Sequence, residues 1–224
     1  MNKKIFIACD TKKISVAKKI IKNTNTSKLK IGHKFGLEFI NSKNGRSFIS
    51  KIKNKIIFAD LKLHDIPNTC VSTIKAIKDL KVNYLTIHIS SGLEALKAVK
   101  KVSGKIKIVG VTTLTSLNQK SINEIGYSKK INSLIIHQSK LAKKANLDAL
   151  VCSPKEIKLV KKVFKKEIIT PGIRLNKENN DQKRIMTPID AFSNGSDWLV
   201  IGRPITKGNI KSNIKNLVNH LYND

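Results

Sequence analysis

Acidic residues are scarce in this chain. Aspartate and glutamate number 15 against 44 lysines and arginines, so the formal net charge is +29. Aromatic residues are also few, at 5% of 224. No motif spaces them for base stacking, which argues against a platform for single-stranded nucleic acid. Arginine is rarer still, with only Arg46, Arg174, Arg184 and Arg203. Base readout and bidentate phosphate contacts favour arginine over lysine. The lysines instead spread over the polar faces of helical patterns such as Val16–Lys22 and Lys155–Lys166. With so much Ile and Asn alongside, they read as compositional drift rather than as a specific nucleic-acid surface.

Long hydrophobic runs are missing. The longest are about five residues, such as Ile5–Cys9, whereas a membrane-crossing helix needs roughly 20 and a secretory signal core about 7–15. The three cysteines, Cys9, Cys70 and Cys152, form neither a disulfide framework nor a Cys-x-x-Cys metal pair. These absences predict a cytoplasmic protein with no membrane partner. No Pro/Gly-rich or low-complexity break divides the chain, so residues 1–224 are expected to form one domain.

What is present is an alternation. Short apolar runs at Ile5–Cys9, Leu29–Gly32, Ile56–Asp60, Tyr84–His88, Ile106–Val111, Ala149–Cys152, Ile168–Thr170 and Trp198–Ile201 read as buried parallel strands. Amphipathic segments lie between them. Ser153-Pro154-Lys155-Glu156 and Thr187-Pro188-Ile189-Asp190 read as a cap, a first-turn proline and an acidic first turn. Eight strands alternating with helices in this length fit an α/β fold, a single (β/α)8 TIM barrel. Such a barrel places its chemistry at the C-terminal strand ends.

The polar residues at those ends are therefore the candidate site. Asp60 and Lys62 stand two apart, on one face of a strand, where each stabilises the other's charged form. Asp65 lies past that strand. Lys30 sits within Leu29–Gly32, and a lysine in a buried strand needs a partner, for which Asp60 on the adjacent strand is the natural choice. Gly202-Arg203 and Gly172-Ile173-Arg174 follow the last two strands, where this fold builds phosphate sites from loop N–H groups.

Together with these residues, the segments DLKLHDIPNT (60–69), LKIG (29–32), TTLTS (112–116), TPGIR (170–174), DQKRIMTP (181–188) and IGRPIT (201–206) resemble the orotidine 5′-phosphate decarboxylase family over essentially the full length. The resemblance implies a homodimeric barrel with no metal or organic cofactor. It implies conversion of orotidine 5′-phosphate to uridine 5′-phosphate in de novo pyrimidine synthesis. It makes Lys62 the catalytic lysine, within a charged array of Lys30, Asp60 and Lys62. Asp65 and Thr69 would reach the neighbouring subunit's site. Asp10 and Lys30 would hold ribose hydroxyls, Thr115 the pyrimidine, and Gln182 both pyrimidine and phosphate. Arg203, the Gly202 backbone and Arg174 would take the phosphate. His33 and Lys34 are expected to follow the Lys30 strand, and 176–180 to be a polar loop. The nearest alternative is a related barrel that uses Mg2+ on a sugar phosphate.

Overall fold

The computed structural model describes residues 2–175 and 185–222. Eight parallel strands close into a barrel in sequence order. They are β1 (Lys4–Ala8), β2 (Lys30–Gly36), β3 (Ile56–Leu63), β4 (Tyr84–His88), β5 (Lys107–Val111), β6 (Ala149–Val151), β7 (Glu167–Thr170) and β8 (Trp198–Ile201). β8 pairs back onto β1 through Leu199 and Ile5. Helices on the outside return the chain after each strand, among them Ile14–Asn23, Pro67–Ala76, Gly92–Val102, Ile131–Lys144 and Ile210–Tyr222.

Local chemistry starts these helices where the sequence predicts. Ser153 and Glu156 form a reciprocal capping box ahead of Ile157–Val163. The Thr187 hydroxyl accepts the Asp190 N–H, with Pro188 in the first turn. Each helix then buries one stripe, such as Ala17 and Ile20 or Ile214 and Leu217, against the outer face of the sheet.

The barrel interior decides where a site can form. Its lower part is filled by Phe6, Phe58, Tyr84, Val109, Ala149, Ile169 and Trp198. Phe6 stacks on Trp198 with ring centroids 4.0 Å apart. The Phe6 ring occupies the space a side chain on β2 would need: a Cβ at Gly32 would lie 2.6 Å from its Cε1. At the N-terminal mouth Glu167 accepts hydrogen bonds from Tyr84 (3.0 Å) and Lys107 (2.9 Å), which closes that end with a polar cluster. The lower half is thus a packed plug. Polar side chains can reach the interior only above it, at the C-terminal ends.

Two strands are longer than their apolar runs indicate. β2 continues past Gly32 to Gly36, and β3 past Asp60 to Leu63. The extension of β2 carries His33 and Lys34, both buried. His33 shares a 3.0 Å hydrogen bond with Thr24, and Lys34 is salt-bridged. Buried polar residues with partners look like a strand end in sequence, although the backbone ladder runs through them.

Candidate active site

The extension of β2 relocates the second lysine of the site. Lys30 and Lys34 have the same inward parity. Four residues of strand, at roughly 3.3 Å each, separate them by about 13 Å. Lys30 pairs in register with Lys4 at the start of β1 and is exposed at the N-terminal end. The placement of Lys30 beside Asp60 is therefore corrected. Lys34, in register with Ala8 and Phe58, stands at the C-terminal end instead. The sequence held a signal for this. Lys34-Phe35-Gly36 repeats the Lys-x-Gly spacing of Lys30-Ile31-Gly32 two inward steps higher on the same face.

Four charges then alternate across the barrel mouth. Lys34 Nζ lies 3.1 Å from Asp10 Oδ1 and 3.4 Å from Asp60 Oδ2, and Lys62 Nζ lies 2.8 Å from the same Asp60 oxygen. Thr86 donates to the other Asp60 oxygen at 3.1 Å. Side-chain exposure rises outward from 11% for Lys34 and 13% for Asp60 to 38% for Lys62 and 63% for Asp10. Burial alone would raise the Asp60 carboxyl, but the adjoining Lys34 and Lys62 ammoniums outweigh it and hold Asp60 below the usual carboxylate range. Burial would likewise lower Lys34, and Asp60 and Asp10 outweigh it to push Lys34 above the ordinary lysine value. Asp60 and Lys34 are therefore both held ionised. Burial pushes the Cys9 thiol up to about 12, which disfavours its thiolate.

Lys62 reaches Asp60 by a route that strand parity does not describe. The β3–β4 register shifts between Ala59 and Leu63. Lys62 has φ +49°, in the left-handed region, which costs a non-glycine residue roughly 1–2 kcal/mol. Its N–H donates to the Thr86 hydroxyl at 2.7 Å. The bulge aims the Lys62 side chain across the mouth.

Asp10, Lys34, Asp60 and Lys62 line a cavity of about 310 Å3, within the range of small-molecule sites. Thr115, Arg174, Gly202 and Arg203 line it as well. Gly202 and Arg203 follow β8, and Arg203 opens the short helix Arg203–Thr206. Arg174 stands where a bridge between Ile173 and Met186 ties together the two flanks of residues 176–184. Asp65 and Thr69 are exposed and lie outside the cavity lining. Gln182 falls outside the described residues. Lys34 and Thr86 are the two residues of the cluster that sequence reasoning did not place there.

A (β/α)8 barrel with an ammonium–carboxylate chain at its C-terminal mouth, and with arginines from the loops after its last two strands lining the same cavity, has the architecture of a barrel enzyme. Family comparison narrows this: residues 3–213 match the model of the orotidine 5′-phosphate decarboxylase / HUMPS family, and the chain belongs to that family. It is 45% identical over 210 residues to an orotidine 5′-phosphate decarboxylase of Wolbachia pipientis subsp. Culex pipiens, covering 91% of each chain. With the enzyme of that name from Vibrio cholerae it shares 37% over 218 residues, again 91% of each. Among solved structures, orotidine 5′-phosphate decarboxylase from Lactobacillus acidophilus superposes with a TM-score of 0.84 at 27% identity, covering 99% of this chain and 100% of that one.

The two β2 lysines can be told apart chemically. Under limited acetylation with peptide mapping, exposed Lys30 should react at least about tenfold faster than Lys34, which is shielded and held protonated by its carboxylates. Equal rates would mean that Lys34 does not sit in the cluster.

Proposed function

We propose that this chain decarboxylates orotidine 5′-phosphate to uridine 5′-phosphate and CO2, a step of de novo pyrimidine synthesis. The observation that carries the reading is the Lys34–Asp60–Lys62 chain in a cavity whose lining also includes Arg174 and Arg203. In the reaction the bond from C6 to its carboxylate breaks and the electron pair stays on C6. An ammonium already fixed beside that carbon stabilises the charge without reorganising. Lys62 Nζ then transfers its proton to C6 and regains one from water. Asp60 fixes that ammonium through its 2.8 Å contact.

The remaining substrate contacts follow the cavity wall. Arg203, the Gly202 backbone and Arg174 take the phosphate, where charge-assisted bonds are strong. Phosphate binding energy is available to exclude water at the remote reacting centre. Thr115 meets the pyrimidine, and Gln182 bridges pyrimidine and phosphate. Asp10 and Lys34 hold the ribose hydroxyls, a role that passes from Lys30 to Lys34 with the change of strand position. No metal or organic cofactor enters this scheme.

The same reading takes the working form as a homodimer. Asp65 and Thr69 are exposed and do not line their own cavity, and Ile66, next to Asp65 in sequence, is 64% exposed. An apolar side chain so exposed between outward polar groups suits a subunit interface. Asp65 and Thr69 would each complete the partner's site. The compartment we assign is the cytoplasm, in keeping with three unpaired, buried cysteines. Among the described residues no helix is long and apolar enough to cross a membrane.

Orotidine 5′-phosphate offered with EDTA present tests the reading directly. Loss of substrate absorbance with release of uridine 5′-phosphate is expected, and activity that returns only with Mg2+ would favour the sugar-phosphate alternative. Lys62→Ala should abolish turnover while the protein stays folded. Retention of more than about a tenth of kcat would mean a loss of only ~1.4 kcal/mol, too little for the role assigned.

Mixing tests the shared site. Lys62→Ala and Asp65→Ala chains, each inactive, should on subunit exchange recover about a quarter of wild-type activity. About half of the randomly paired dimers are mixed, and each mixed dimer has one intact site. No recovery after demonstrated exchange would place Asp65 in its own chain's site or outside any site.

A further inference from the structure

Thr86 has no role in the scheme above, and it does not line the cavity. It is fully buried in the middle of β4. A threonine hydroxyl has one proton to donate and lone pairs to receive, and this one uses both. It accepts the Lys62 N–H at 2.7 Å and donates to Asp60 Oδ1 at 3.1 Å. Lys62 Nζ returns to Asp60 Oδ2 at 2.8 Å. The contacts close a ring that runs from the Lys62 backbone through Thr86 and Asp60 to the Lys62 side chain.

We propose that Thr86 is a positioning residue, whose hydroxyl holds the Lys62 backbone in its left-handed turn and the Asp60 carboxylate in one rotation. The inference rests on the decarboxylase reading for its catalytic consequence. Its structural basis is independent of that reading. At the β3–β4 register shift, a side chain on β4 supplies the acceptor for the Lys62 N–H. Without that hydroxyl, one buried carboxylate oxygen and one strand N–H lose their partners together. Asp60 would be free to rotate and Lys62 to leave φ +49°. Either movement displaces the ammonium from a carbon it must meet in a narrow range of geometry.

Valine matches threonine in shape but can neither donate nor accept, whereas serine keeps the hydroxyl. Wild type, Thr86→Val and Thr86→Ser would be compared for kcat and KM on orotidine 5′-phosphate. Calorimetric titration with uridine 5′-phosphate counts the binding-competent sites. In Thr86→Val, kcat per competent site should fall about ten- to a hundredfold, with KM and the product Kd within about threefold of wild type. Thr86→Ser should restore kcat to within about threefold of wild type. A merely structural role would reduce the number of competent sites and leave kcat per site unchanged.

Thr86→Ala removes the same hydroxyl without a branched replacement. It should repeat the valine result, and it stands in for the valine variant if that one does not fold. An unaltered kcat per site without the hydroxyl, or a serine variant as impaired as valine, would overturn the proposal. If the wild type does not turn over this substrate, the decarboxylase reading fails, and a crystal structure of Thr86→Val decides the positioning role by itself. Lys62 leaving the left-handed region supports that role, and an unmoved Lys62 and Asp60 overturns it.

Discussion

One buried carboxylate organises this site. Asp60 is enclosed at the top of the barrel between two ammoniums, with its second oxygen bonded to Thr86. An unpaired charge in that position would cost several kcal/mol of desolvation. The surrounding fold is arranged so that the carboxylate is never unpaired. β2 must run far enough to bring Lys34 level with it. β3 must break its ladder to bring Lys62 back to it. Arg174 and Arg203, from the loops after β7 and β8, line the same cavity as this pair.

The aromatic plug makes that arrangement possible. Phe6, Phe58, Tyr84 and Trp198 fill the lower barrel, and the cavity lies above them at the C-terminal side. The inner charges lie where apolar floor meets open cavity. The local dielectric there is low enough for ion pairing to be strong, and the mouth is open enough for a ligand to enter. Stability and chemistry are therefore divided along the barrel axis, with packing below and charge above. The exposed lysines on the helices take little part in either.

Much of this was legible in the sequence because it follows from periodicity and position. Alternating apolar runs and amphipathic segments implied the barrel, and polar residues at run ends marked the mouth. Asp10, Asp60, Lys62, Thr115, Arg174, Gly202 and Arg203 do line one cavity. Lys34 was hidden because a strand interrupted by a paired histidine and lysine looks finished at Gly32. Two Lys-x-Gly steps on one face cannot be ranked without knowing strand height. Thr86 was hidden for another reason. A threonine inside an apolar run is ordinary β chemistry, and its importance arises only from a register shift that involves the neighbouring strand. Lys62 shows the same limit, since parity predicted the right face although the backbone attains it through a bulge.

The most direct test of this account is the titration of Asp60 itself, followed by carboxyl 13C NMR in protein labelled at aspartate and assigned through Asp60→Asn. At pH 4, where an unperturbed aspartate is about half protonated, Asp60 should still show the ionised shift, because Lys34 and Lys62 hold its pKa below the ordinary 3.8. In Lys34→Met its titration should move to higher pH. An Asp60 that titrates at or above the ordinary value in the native protein, or that ignores the loss of Lys34, would contradict the claim that this carboxylate is the paired centre of the site.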